Sequence, residues 1–267
     1  MFKGYDLKCQ LVLAVALLST ISITGFSMEV NDPNEILQKR LAEISVRNKG
    51  KETDLTKLET DCLALIQDYN SPAQKGKIYA EIAKTYSKKG FDGRNDVRIT
   101  KAVNYCKKAL EQPLDVITAC EMHGRLTDSM IVSFRTLPQS QFVELRREAV
   151  VFCLNGFKIA LDNNAPKEQQ PSPAVGIYNI EPNDPDYKKV MEKYQAELAD
   201  QKKWEFESKL YFQRQVLTEL CVCLYSHKPY DTDELEKFAR DSLRGHEDVV
   251  DELMAKVHER ISQQGNK

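Results

Sequence analysis

The chain has 267 residues, 42% of them hydrophobic and 29% charged, which is too apolar for wholesale disorder. With only 11 glycines and 10 prolines it is neither collagen-like nor low in complexity. Lys plus Arg number 38 against 40 for Asp plus Glu, a formal charge of −2, so the basic excess of a non-specific nucleic-acid binder is missing and no nucleic-acid partner is expected.

Residues 1–27 differ from the rest. Lys3 and Lys8 precede an apolar run from Leu11 to Leu18, and Gly25-Phe26-Ser27 supplies small residues where a signal peptidase reads. This pattern predicts an export signal with a mature start at Met28. An uncleaved anchor stays open, because residues 9–26 approach the length needed to cross a bilayer. Membrane association is expected only in that second case. Either way the body is expected outside the cytoplasm, periplasmic or secreted.

The remainder reads as helix after helix. Asp32-Pro33, Ser71-Pro72, Asp184-Pro185 and Asp231-Thr232-Asp233-Glu234 carry helix-start chemistry: a side-chain acceptor for the first free amides, then proline or acid in the first turn. Apolar residues follow at helical spacing: Leu58, Cys62 and Leu65; Ile78, Ile82, Ala83 and Tyr86; Ala102, Cys106 and Ala109. The same spacing recurs in Phe142, Ala149, Cys153, Gly156 and Phe157, in Leu217, Cys221 and Leu224, and in Val250, Leu253, Met254 and Val257. No stretch alternates with period two, so the fold class is all-α.

Residues 28–161 are expected to form one helical block. Residues 162–185 hold five prolines and read as an extended crossover. Residues 186–267 are expected to form one long helix, 187–225, with an exposed charged middle, then two short helices parted near Gly245, all packing on the first block.

Tyr79, Ile82, Ala83 and Tyr86, then Ala102, Cys106, Ala109 and Leu110, with Pro113 at the end, resemble a tetratricopeptide repeat. Gly124, Ala149, Cys153, Gly156 and Phe157 look like a second copy, displaced by 47 residues where the family period is about 34. Insertions at residues 91–100 and 129–140 would account for the excess. The likeness implies stacked antiparallel helical hairpins over roughly residues 72–161. It also implies a concave face carrying Lys77, Lys84, Lys88, Thr118, Glu121 and Arg125, suited to an acidic peptide segment of a protein partner. As a whole the chain resembles exported bacterial proteins of unknown function, a likeness that implies no activity.

Chemistry-bearing motifs are few. No glycine arrangement cradles phosphate, and no two of the four histidines fall three or four positions apart, so neither a nucleotide, a zinc ion nor any other cofactor is expected. His246, Glu247, Asp248, Asp251 and Glu252 could gather a hard cation or merely supply charge at a helix start. Six cysteines follow the first segment; they are expected as buried thiols, with a bridge from Cys106 to Cys120 or Cys153 as the alternative. The expected function is an exported, non-enzymatic scaffold that binds protein or peptide. The alternative is an enzyme or small-ligand binder with a site between the first block and the C-terminal helices, near Trp204 and Tyr178.

Overall fold

The computed structural model describes residues 32–47, 55–87, 96–133, 139–165, 187–228 and 230–265. The expected export signal, Lys88, Tyr178 and nearly all of the proline-rich crossover lie outside the described residues. Among the described residues there are nine α-helices, one short 3-10 turn and no strand, so the chain is all-α. In chain order they are α1 (Pro33–Arg47), α2 (Leu55–Ala64), α3 (Pro72–Ser87), α4 (Asp96–Leu110) and α5 (Val116–Ser133), then α6 (Gln139–Asp162), α7 (Tyr187–Tyr225), α8 (Thr232–Ser242) and α9 (Glu247–Gly265). Among them no helix is long and apolar enough to cross a membrane.

The chain divides into a unit of residues 1–40 and a unit of residues 41–267. In the first, Asp32 caps α1: its carboxylate accepts the Asn34 amide at 2.9 Å and its carbonyl accepts the Glu35 amide at 2.8 Å.

In the second unit the helix starts follow from short-range chemistry. Ser71 Oγ accepts the Gln74 amide at 3.3 Å while Gln74 Oε1 accepts the Ser71 amide at 3.4 Å, a reciprocal capping box. Asp231 Oδ1 accepts the Glu234 amide at 3.2 Å at the start of α8. Asp115, a cap that the sequence reading did not identify, accepts the Thr118 amide at 2.9 Å. At its far end α6 stops in a left-handed cap: Asn164 has φ of 56°, the Ala165 amide donates to Ala160 O and the Asn164 amide to Leu161 O. Gly245, at φ of 92°, turns the chain between α8 and α9, a conformation that a side chain would strain. The second of the two C-terminal helices runs for 19 residues and is not short.

Packing is sequential. α3 lies against α4, α4 against α5 and α5 against α6; α3 also reaches α5, and α7 packs on both α5 and α6. The C-terminal helices close on these, α8 against α6 and α9 against α7 and α8. The apolar stripes point inward: Ile78, Ile82, Ala102, Cys106, Ala149, Cys153, Leu217 and Val257 are fully buried. Gly156 permits the tightest approach, since a Cβ there would lie 2.5 Å from His123 Cβ on α5. The expected insertions are corrected in part. Within the described residues, 96–100 belong to α4, 129–133 to α5 and 139–140 to α6, so longer helices carry much of the 47-residue displacement.

Arg146 is the largest fully buried side chain, 1% exposed, although its neighbours in sequence read as surface. Its Nη1 donates to the His227 carbonyl at 2.7 Å, pinning α6 to the turn after α7. Burial lowers the Arg146 pKa, and the nearby Asp231 and Glu234 oppose that shift. Next to it, Arg147 pairs with Glu234 at 2.7 Å and ties α6 to α8.

Candidate functional site

Three of the six residues expected on the binding face, Lys84, Glu121 and Arg125, meet where α3 packs on α5. Lys77 and Lys84 sit two turns apart on α3; Glu121 and Arg125 sit one turn apart on α5. Glu121 joins the two helices. Its Oε2 takes Lys84 Nζ at 2.9 Å, and its Oε1 takes Arg125 through both Nε and Nη2 at 2.9 Å. Arg125 Nη1 also donates to Ser87 Oγ at 2.9 Å, at the last turn of α3. These side chains keep 20–30% of their surface exposed, so the seam is open to solvent and screened by it. Lys77 is half-buried and makes no ion pair among the described residues. Two cations therefore share the Glu121 carboxylate, and Lys77 lies two turns away along α3.

Thr118 uses its hydroxyl locally. It donates to Asp115 Oδ2 at 2.7 Å, and its amide donates to the same carboxylate, so Thr118 completes the α5 cap. Lys88 lies outside the described residues. Ser87, which sequence reasoning missed, is placed three residues after Lys84 and so shares its helix face.

A second polar cluster joins α2, α3 and α4. Glu59 accepts hydrogen bonds from Tyr105 OH on Oε1, and from Tyr86 OH and Lys101 Nζ on Oε2, each at 2.5 Å. The Tyr86 and Tyr105 rings stack, with centroids 6.3 Å apart and planes within 2°. Burial would raise the Glu59 pKa, but the three donors and the Lys101 charge outweigh it and hold the carboxyl below its ordinary value. Both tyrosines are pushed up, by burial first and then by the carboxylate they face. All three donors converge on Glu59, and Lys101 Nζ also donates to Tyr86 OH at 3.1 Å, so the cluster is a clasp between three helices.

The third feature is a cleft of about 410 Å³ where α6, α7 and α9 converge. Phe157, Val249 and Leu253 supply its apolar wall; Tyr211, Arg214 and Lys256 are among its polar groups. Arg214 Nη1 donates to the Ala165 carbonyl at 2.8 Å, and Lys256 pairs with Glu252 at 3.1 Å. The cleft lies between the first block and the C-terminal helices, where the alternative reading put a site, but Trp204 does not line it.

The remaining candidates disperse. His246 contacts Asp162 at 2.9 Å, Asp251 takes Arg240 at 2.8 Å, and Glu247 accepts the Gly245 amide at 3.0 Å. Among the described residues no group of three or more His, Cys, Asp or Glu side chains is placed to hold a metal ion. His123 packs in the core; burial drives its pKa down to about 4, against a hydrogen bond with the Phe152 backbone that raises it. Cys62, Cys106, Cys120, Cys153 and Cys221 are buried free thiols, and Cys223 is half-buried. Burial pushes Cys62 and Cys106 up to about 12 and Cys120 up to about 11. Five of the six thus match the expectation of buried thiols, and the alternative, a bridge from Cys106, is not formed: Cys120 Sγ turns to the Gly156 carbonyl at 3.6 Å, and Cys153 Sγ turns to Cys221.

Comparison of the chain with protein-family models, curated proteins and solved structures gave no match.

Proposed function

We propose that this protein is an exported, non-enzymatic helical scaffold whose α3–α5 face binds an acidic segment of a protein or peptide partner. The observation that carries this reading is a helix seam where two cations, Lys84 and Arg125, share the carboxylate of Glu121, with a third cation, Lys77, two turns along α3. Glu121 and Ser87 hold Arg125 in place, so little side-chain freedom is lost when a partner carboxylate docks. Lys77 offers a cation two turns along α3 for the next acidic residue of an extended partner. The repeat-like pattern of residues 72–161 supports the scaffold, and Lys3, Lys8 and the apolar run after them support export.

The test is fluorescence anisotropy of a glutamate-rich peptide against the purified chain. Reversing Lys84 or Arg125 would also break their pairs with Glu121, so Lys77→Glu is the cleaner variant. A loss of affinity of about tenfold at moderate salt is expected for Lys77→Glu, as for a charge-assisted contact turned repulsive. Binding that ignores both the variant and added salt overturns the reading.

A second reading has its own observation. The α6–α7–α9 cleft has the volume and mixed lining of a small-ligand site. Thr218→Trp would fill it, and loss of a native small molecule from the purified protein would then favour this reading over the scaffold.

A further inference from the structure

α6 and α7 pack side by side, and across their seam Cys153 Sγ and Cys221 Sγ stand 3.0 Å apart. The separation is about 1 Å longer than the ~2.05 Å of a disulfide bond. Both residues are fully enclosed, Cys153 at 0% and Cys221 at 1% exposure. Cys153 Sγ also lies 3.4 Å from the Leu217 carbonyl, one turn before Cys221, so the pair is held from both sides. Gly156, three residues after Cys153, lets α6 come close to α5 and to Leu217 of α7.

We propose that Cys153 and Cys221 are the two halves of a disulfide that closes during folding by exchange with a low-molecular-weight disulfide, locking α6 to α7. One cysteine thiolate attacks a sulfur of the oxidant and expels the first small thiol, leaving a mixed disulfide. The second cysteine thiolate attacks the protein sulfur of that intermediate and expels the second small thiol. Two protein S–H bonds and one oxidant S–S bond are lost; one protein S–S bond and two small-molecule S–H bonds form. The protein gives up two electrons and the oxidant takes them.

Burial raises the Cys153 thiol well above its ordinary range, so the reactive thiolate is scarce once the helices have closed. The bond therefore forms before packing is complete and is shielded from reductants afterwards. The closed loop encloses the proline-rich segment 162–185 together with most of α7. An oxidising compartment is where such a bond persists. The inference stands apart from the partner-binding reading, since it needs no occupant on the α3–α5 face.

The test unfolds the full reduced chain, refolds it by dilution into oxidised and reduced glutathione, and quenches it with an alkylating agent. Digestion with trypsin under non-reducing conditions then maps the bond. Residues 148–158 carry Cys153 alone, whereas residues 215–237 carry both Cys221 and Cys223, because Lys228 precedes proline. The expected result is a cross-linked pair of these peptides whose fragmentation places the bond on Cys221, with Cys223 alkylated. Chain refolded in excess reductant should unfold at a lower temperature than the oxidised wild type, and the same comparison on Cys221→Ala should show no difference. The same mapping on chain exported to the periplasm of a bacterial host reads the bond without refolding. Alkylation of both Cys153 and Cys221 in folded, oxidant-treated chain overturns the proposal, as does a bond from Cys153 to any other cysteine.

Discussion

Gly156→Ala tests whether helix approach at the centre of the fold is as tight as the packing requires. The added Cβ would meet His123 Cβ at 2.5 Å, His123 Cγ at 3.1 Å and Leu217 Cδ2 at 3.3 Å. A Cβ cannot rotate away, so the 2.5 Å contact is relieved only by moving α6 off α5. Overpacking of this kind costs about 1–3 kcal/mol. Alanine regains about 1 kcal/mol over glycine inside a helix. Because the clash is between atoms fixed to two backbones, the cost falls in the upper part of its range, and the net loss is about 1–2 kcal/mol. Gly124→Ala is the matched control on α5: its Cβ would sit 3.9 Å from Val216 and Leu217, an ordinary contact, so the helix gain of up to about 1 kcal/mol should appear uncancelled. Urea unfolding followed by circular dichroism measures both. Equal shifts for the two variants, or a Gly156→Ala protein as stable as wild type, would refute the packing argument.

Further expectations follow from the polar core. Glu59→Gln should cost about 1.5–3 kcal/mol at neutral pH, by weakening three bonds to a charged acceptor. Since the folded Glu59 pKa lies below the ordinary 4.5, its stabilisation is present above that value and lost as pH falls through the lower folded one. The gap between wild type and variant in urea titrations should therefore close under acid, and a gap independent of pH would count against the clasp. His123 should titrate near pH 4 by NMR. Its folded state binds fewer protons than the unfolded chain between about 4 and 6.5, so stability declines as pH falls across that window; a midpoint near 6.5 would contradict its burial. Arg146→Ala leaves the His227 carbonyl without its donor and opens a large void, a loss of about 2–5 kcal/mol. Limited proteolysis should then release the segment after α7 early, and unchanged resistance would show that Arg146 does not anchor it.

Helix existence was legible wherever the signal is local. The Asp32, Ser71 and Asp231 caps each depend on residues two or three positions ahead, and α7 spans residues 187–225, which carry no proline or glycine. The inward stripes were legible for the same reason, since a 3.6-residue period settles which side chains share a face. What escaped the sequence depends on partners far along the chain. Glu59 meets Tyr86 and Tyr105 across 27 and 46 positions, and nothing near Glu59 distinguishes it from a surface acid. Arg146 looks like the exposed edge of α6 until the His227 carbonyl, 81 positions later, arrives to accept its hydrogen bond. At the α3–α5 seam the repeat register put Lys84, Glu121 and Arg125 on facing helices, but the sharing of one carboxylate emerges only when α3 and α5 are side by side. The part Thr118 takes in the α5 cap was not legible either, since it depends on Asp115 accepting from both its amide and its hydroxyl.

Hydrogen–deuterium exchange of the full chain, with and without a glutamate-rich peptide, addresses the scaffold reading most directly. Slowed exchange concentrated in the exposed turns of α3 and α5 around Lys77, Lys84 and Arg125 is the predicted pattern. Protection confined to α7 and α9 around Tyr211 and Lys256, or no protection at any salt, would contradict it.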